Sequence, residues 1–211
     1  MPDYLAPELV IDHQDDGPHG RASAVFNQAR THRQHLTREW DPDNPKTATF
    51  LMLNPSVADA FKLDPTVTRC VKHAKRLGAG RLEVVNLFDL RSTDPKGLRT
   101  VDEPSSAAND RAIVEAVRRA DIPVAAWGTD GTYRGRDREV LDLLAREVPD
   151  KQLHALGTTK DGHPRHPLYV RSDAEVTPYT PPAPKATQPR RPGPAADGPV
   201  PPKPNTYGVW G

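Results

Sequence analysis

Phe50 to Asp59 reads FLMLNPSVAD, an apolar run that stops abruptly at Asn54-Pro55-Ser56. Four consecutive apolar residues mark a strand buried on both faces, the kind found in parallel sheets. Open α/β sheets bind their ligands beyond the carboxyl ends of such strands. A polar turn at that place therefore raises the question of what the remaining strands bring beside it.

Downstream of this run, strand-like and helix-like patterns alternate. DPTVTRCVKHAKRLGAG sets Val67, Cys70, Val71, Ala74 and Leu77 at three- and four-residue spacings, one apolar stripe of a helix that Asp64 caps and Pro65 begins. RLEVVNLF reads as a second strand, and SSAANDRAIVEAVRRA as a helix with Ile113, Val114 and Val117 on one side. IPVAAWG is a third strand, GRDREVLDLLAREV a helix through Val140, Leu141, Leu144 and Val148, and QLHALG a fourth strand. The expected fold is an α/β three-layer sandwich around a central, mainly parallel four-stranded sheet. The amino-terminal part adds a hairpin or an edge strand: HRQHLTREW, followed by the turn-like DPDNPK, is expected to hairpin into TATFLML.

Parallel strands bring their carboxyl ends to one rim. The first delivers Asn54, Pro55 and Ser56, the second Asn86, the third Trp127 and Gly128, and the fourth runs through Gly157 into TTKDGHPRHPLYV with His163 and His166. Asn86 stands between Val85 and Leu87, where its amide must find partners for two donors and an acceptor. A planar amide is also what reads a base edge. Asn54 admits a plainer role, bonding its own turn. The two histidines suit acid–base or electrostatic work near neutral pH, or else loop packing. No Cys, Asp or Glu stands at ligand spacing with them, so no metal is expected. Asp59 and Asp89 follow strands and are either bases or turn residues, whereas Asp64 and Asp94 read as cap and turn.

Composition narrows the classes. The chain has 211 residues, room for one well-buried domain, and its 29 basic and 28 acidic side chains nearly cancel. A local basic stripe of Arg69, Lys72, Lys75 and Arg76 on the first helix fits either a solvated face or a nucleic-acid contact. The lone Cys70 excludes a disulfide framework and suits a reducing cytoplasm. The start carries no basic segment followed by an apolar run, and no stretch of about 18 apolar residues is present, so no membrane association is expected. Neither G-x-G-x-x-G nor G-x-x-x-x-G-K-[ST] follows a strand, so no nucleotide cofactor is expected, and no G-x-S-x-G elbow makes Ser56 a nucleophile.

Three segments follow: a poorly defined stretch over residues 1–30, the α/β domain over 31–172, and a tail over 173–211. Thr177 to Gly211 holds 11 of the 24 prolines and almost no large apolar residue before YGVWG, a composition expected to stay disordered and able to dock partner proteins in extended form.

The blocks LMLNPSVAD, LDPTVTRC, VVNLFDLRSTDP, AAWG and LGTTKDGHPRHPLY resemble, from about Arg33 to Val170, a bacterial and phage domain family of unknown function. More distantly the chain resembles the uracil-DNA glycosylase superfamily, whose first strand ends in G-x-N-P-G or G-Q-D-P-Y, whose next ends in a base-reading Asn, and whose last motif is H-P-S-P. Met52 to Ser56, Val85-Asn86-Leu87 and HPRHPLY are similar to these in order, with Leu53 and Ser56 standing where those enzymes carry glycines. The resemblance implies that Asn54 positions water or sugar, that Asn86 reads the base, and that His166 or His163 stabilises charge on the departing base. It implies a nucleic acid or nucleotide partner. An enzyme acting on an N-glycosidic bond, a module that binds a base without chemistry, and an unrelated small-molecule enzyme on the same fold remain open.

Overall fold

The computed structural model describes residues 9–17 and 20–183. Most of the proline-rich tail, residues 184–211 with the terminal YGVWG, lies outside the described residues. The strands are β1 (Leu9–Gly17), β2 (Gly20–Asn27), β3 (Arg33–Glu39), β4 (Thr47–Met52), β5 (Arg81–Asn86), β6 (Ile122–Ala125), β7 (His154–Ala155) and β8 (Thr177–Pro178). The helices are α1 (Pro65–Arg76), α2 (Ala107–Arg119) and α3 (Arg136–Glu147).

The expected four-stranded, mainly parallel sheet is corrected. All eight strands form one mixed sheet in the order β1-β2-β3-β5-β4-β6-β7-β8. Pairing is parallel for β4 with β5 and β6, and for β6 with β7. It is antiparallel for β1–β2, β2–β3, β3–β5 and β7–β8. Nor does β3 hairpin into β4, because β5 lies between them. The antiparallel half escaped the apolar pattern for a physical reason. The inward residues of β2 are Ala22, Ala24 and Phe26, two of them small, while β1 shows Leu9 and Ile11 to solvent and β3 buries Arg33 and Arg38. These strands alternate weakly instead of running apolar.

Every residue of β4 is buried, and its alternation splits the core. Phe50 and Met52 face a cluster that includes Val67, Cys70 and Ala74 of α1. Leu51 and Leu53 face another with Ile113 and Val117 of α2 and Val140 and Leu144 of α3. Asp64 caps α1 by accepting from Val67 N at 2.7 Å, and Pro65 occupies the first turn. Asp89, fully buried, accepts from Ser106 N and Ser106 Oγ at the start of α2 and from Gln34 Nε2 of β3. The carboxylate thus joins strand to helix.

The boundary of the tail is corrected too. Residues after Asp173 add β8, and Tyr179 is buried against Trp127, ring centroids 6.0 Å apart and nearly perpendicular. Its N–H donates to Leu153 O and its hydroxyl to Gly162 O. Among the described residues no helix is long and apolar enough to cross a membrane. Tyr179→Ala is expected to cost about 3 kcal/mol in urea unfolding, the range for emptying a buried aromatic site. A loss below about 1 kcal/mol would show that the strand after Asp173 is not part of the core.

Candidate functional site

The carboxyl ends of β5, β4, β6 and β7 lie side by side, and the loops that leave them enclose a cleft of about 420 Å³. Behind it lies a crevice of about 40 Å³ reached between the same residues: Asn54, Ser56, Asp64, Thr66 and His166 line both. Arg33 and Asn86 line the crevice alone.

Asn86 ends β5 with 1% exposure, and neither its Nδ2 nor its Oδ1 has a hydrogen-bond partner among the described residues. Its backbone is held firmly all the same. Asn109 Nδ2 of α2 donates to Asn86 O and Leu87 O, both at 3.0 Å, and Arg136 Nε of α3 donates to Leu87 O. Leu87 N donates to Met52 O, tying this strand end to that of β4. A buried amide left unpaired costs free energy, and together with its place in the crevice that makes Asn86 a candidate for ligand contact.

Asn54 is half-buried, and its Nδ2 donates to Pro55 O and to Ser92 O at 2.8 Å. Its amide nitrogen closes the loop, which leaves Oδ1 for a ligand. Pro55 is buried; its carbonyl takes that bond and one from Ser92 N, and it does not line the cleft. Ser56 lines cleft and crevice. Trp127 floors the cleft, but only 1% of it is exposed, and its indole packs so closely on Gly131 that a Cβ there would lie 2.2 Å from the ring. It is a core residue at the edge of the site. Gly128 takes φ 75°, a left-handed conformation, and donates its N–H to Pro164 O. That bond hangs the 157–166 loop on the end of β6.

The two histidines part company. His163 sits in the turn of that loop, where its backbone exchanges bonds with Thr159, and it lines neither cavity. His166 lines both, caps the short 3-10 helix Pro167–Tyr169, and accepts from Leu168 N at its Nδ1. Burial lowers its pKa from the ordinary value, opposed by the charge of Asp64. At neutral pH the ring is uncharged, and with Nδ1 accepting, its proton sits on Nε2 as a donor.

Asp59 and Asp89 line neither cavity: Asp59 Oδ1 accepts from Phe61 N and Lys62 N in its own turn, and Asp89 is spent at α2. Two site residues carry no sequence signal of their own. Asp64 reads only as a helix cap, yet one oxygen does that work while the carboxylate also lines both cavities. Arg33 reads as an exposed strand residue, yet it is 2% exposed and lies in the crevice. The basic stripe of α1 is partly structural, since Arg69 donates to Val170 O and Arg76 to Ser172 O and Asp173 O.

Two outcomes test this geometry. Asn86→Leu removes an unpaired buried amide and is expected to raise unfolding free energy by about 1 kcal/mol in denaturant titration, whereas a loss would mean the amide has a protein partner. Imidazole resonances should place His166 below the usual value of about 6.5. Because its folded-state pKa is the lower one, stability should fall as pH drops below that value, and His166→Gln should flatten the fall.

No curated protein matches the chain. Residues 33–168, a span that runs from the crevice arginine through the loop carrying His166, match the family described as protein of unknown function (DUF1643), and the chain belongs to that family.

Proposed function

We propose that the cleft receives a nucleobase, carried by a nucleotide or nucleic acid, with its polar edge directed into the crevice, and that the protein hydrolyses the base's N-glycosidic bond. The observation that carries this reading is the Asn86 amide, which offers a donor and an acceptor side by side with no partner among the described residues. The crevice holds an edge and not a ring, since about 40 Å³ is close to the ~30 Å³ share of one water in the liquid. The larger cleft accommodates the ring and sugar.

The chemistry follows from the same wall. Water adds to the anomeric carbon and loses its proton to Asp64, whose second carboxylate oxygen is not used in the cap. The bond from that carbon to the ring nitrogen breaks, its electron pair passes to the base, and the neutral His166 donates a hydrogen bond to the oxygen where charge collects. A base within a duplex would first have to leave the stack. The likeness of the Asn54, Asn86 and His166 motifs to those of uracil-DNA glycosylases supports the same assignment.

A second reading, binding without cleavage, is favoured by one observation. Asn54, which that likeness gives the task of positioning water or sugar, has committed its amide nitrogen to Pro55 O and Ser92 O. Single-turnover assays on uracil- and thymine-containing single-stranded oligonucleotides and on nucleosides separate the two. Hydrolysis that drops by about a hundredfold or more in His166→Ala supports the enzyme. Base-dependent thermal stabilisation that is lost in Asn86→Ala, with no cleavage of any substrate, would leave the binding module.

A further inference from the structure

Arg33 is a buried charge that no part of the site described so far explains. It projects from β3 into the core beside the crevice, 2% exposed, and no carboxylate lies within ion-pairing distance of it among the described residues. Its Nη1 donates to Ala58 O at 2.7 Å, while its Nε–H has no partner. Burial pulls its pKa down to about 10, with Asp64 and Asp59 opposing the shift and Arg91 and Arg38 adding to it, so the guanidinium stays charged at neutral pH. A fixed cation lining the same small crevice as the unpaired amide of Asn86 attracts an oxygen bearing negative charge more strongly than a neutral one.

We propose that Arg33 makes the crevice selective for a base in its anionic form, so that the ligand class is an oxo-base with an acidic ring N–H beside a carbonyl. Asn86 takes a neutral N–H and C=O pair of the base, and Arg33 faces the oxygen over which the negative charge spreads. Amino-bases such as cytosine, whose exposed NH2 would point its hydrogens at the guanidinium, are disfavoured. In the reaction proposed above, the departing base is such an anion, and Arg33 would stabilise it together with His166. The inference rests on the nucleobase reading of the cleft.

The test begins with the wild-type protein. Calorimetric titrations with uracil, 5-fluorouracil, whose ring N–H is more acidic, and cytosine are run from pH 7 to 9. Of the groups around the crevice, Arg33, lowered only to about 10, keeps its charge, and His166, its pKa already lowered by burial, is neutral; Asp64, Asp59, Arg38 and Arg91 are the other charged groups that act on Arg33. The ligand is then what titrates. If only the anion binds, affinity rises about tenfold per pH unit until the ligand's own pKa is passed, and 5-fluorouracil binds more tightly than uracil at pH 7. Arg33→Met should remove the pH dependence and Arg33→Lys keep part of it, with circular dichroism to confirm that each variant folds. Uracil binding that does not change with pH, or cytosine binding as tightly as uracil, overturns the anion proposal and leaves the base reading intact. Failure of every base to bind overturns both.

Discussion

Two guanidinium groups from one antiparallel strand shape the site. Arg33 donates to Ala58 O, and Arg38 donates to Asp59 O and Lys62 O, so β3 reaches across to grip the carbonyls of the loop between β4 and α1. Both side chains are almost wholly buried. Loops ordinarily run over the surface because water must satisfy their backbone groups. Here charge-assisted bonds from inside the sheet satisfy them, and the loop can sit close enough to the core to form the wall of a crevice. Those bonds hold the middle of the loop, Ala58 to Lys62, while Asn54 at its start is tied to Ser92 O and Asp64 at its end to Val67 N.

The opposite wall obeys a different logic. At the end of β5 the backbone carbonyls are taken by Asn109 and Arg136, two helix residues that touch neither cavity, while the Asn86 side chain has no partner among the described residues. The main chain is thus held firmly while the unsatisfied amide costs stability locally. His166 completes the arrangement from a third direction, positioned by its place ahead of Pro167 and by Gly128, whose N–H holds Pro164 O.

How much of this can be read in the chain depends on how each residue is buried. β4, β5 and β6 and the three helices are legible because their apolar residues are large and regularly spaced. β1 and β2 are not, since Ala22 and Ala24 carry little hydrophobic signal, and β3, RQHLTRE, is legible as a strand but not in its place beside β5. Asn54, Asn86 and His166 stand out as polar residues at strand ends. Nothing in the sequence separates His166 from His163, because the turn that carries one into the cleft and the other away depends on a bridge between Thr158 and Pro164. Arg33 is invisible for the reason that makes it interesting: a buried arginine without a carboxylate violates the expectation that charged residues face water.

The strand order has one more consequence. β1 and β8 are the two outer strands, so the first and last strands of the described residues stand at opposite edges of the sheet, seven interstrand spacings of about 4.8 Å apart, or about 34 Å. Many domains bring their ends together and tolerate having the chain reconnected and reopened elsewhere. This one would need a linker crossing the full width of the sheet, so its topology resists circular permutation, and domains fused before β1 and after β8 would be held on opposite flanks of the cleft.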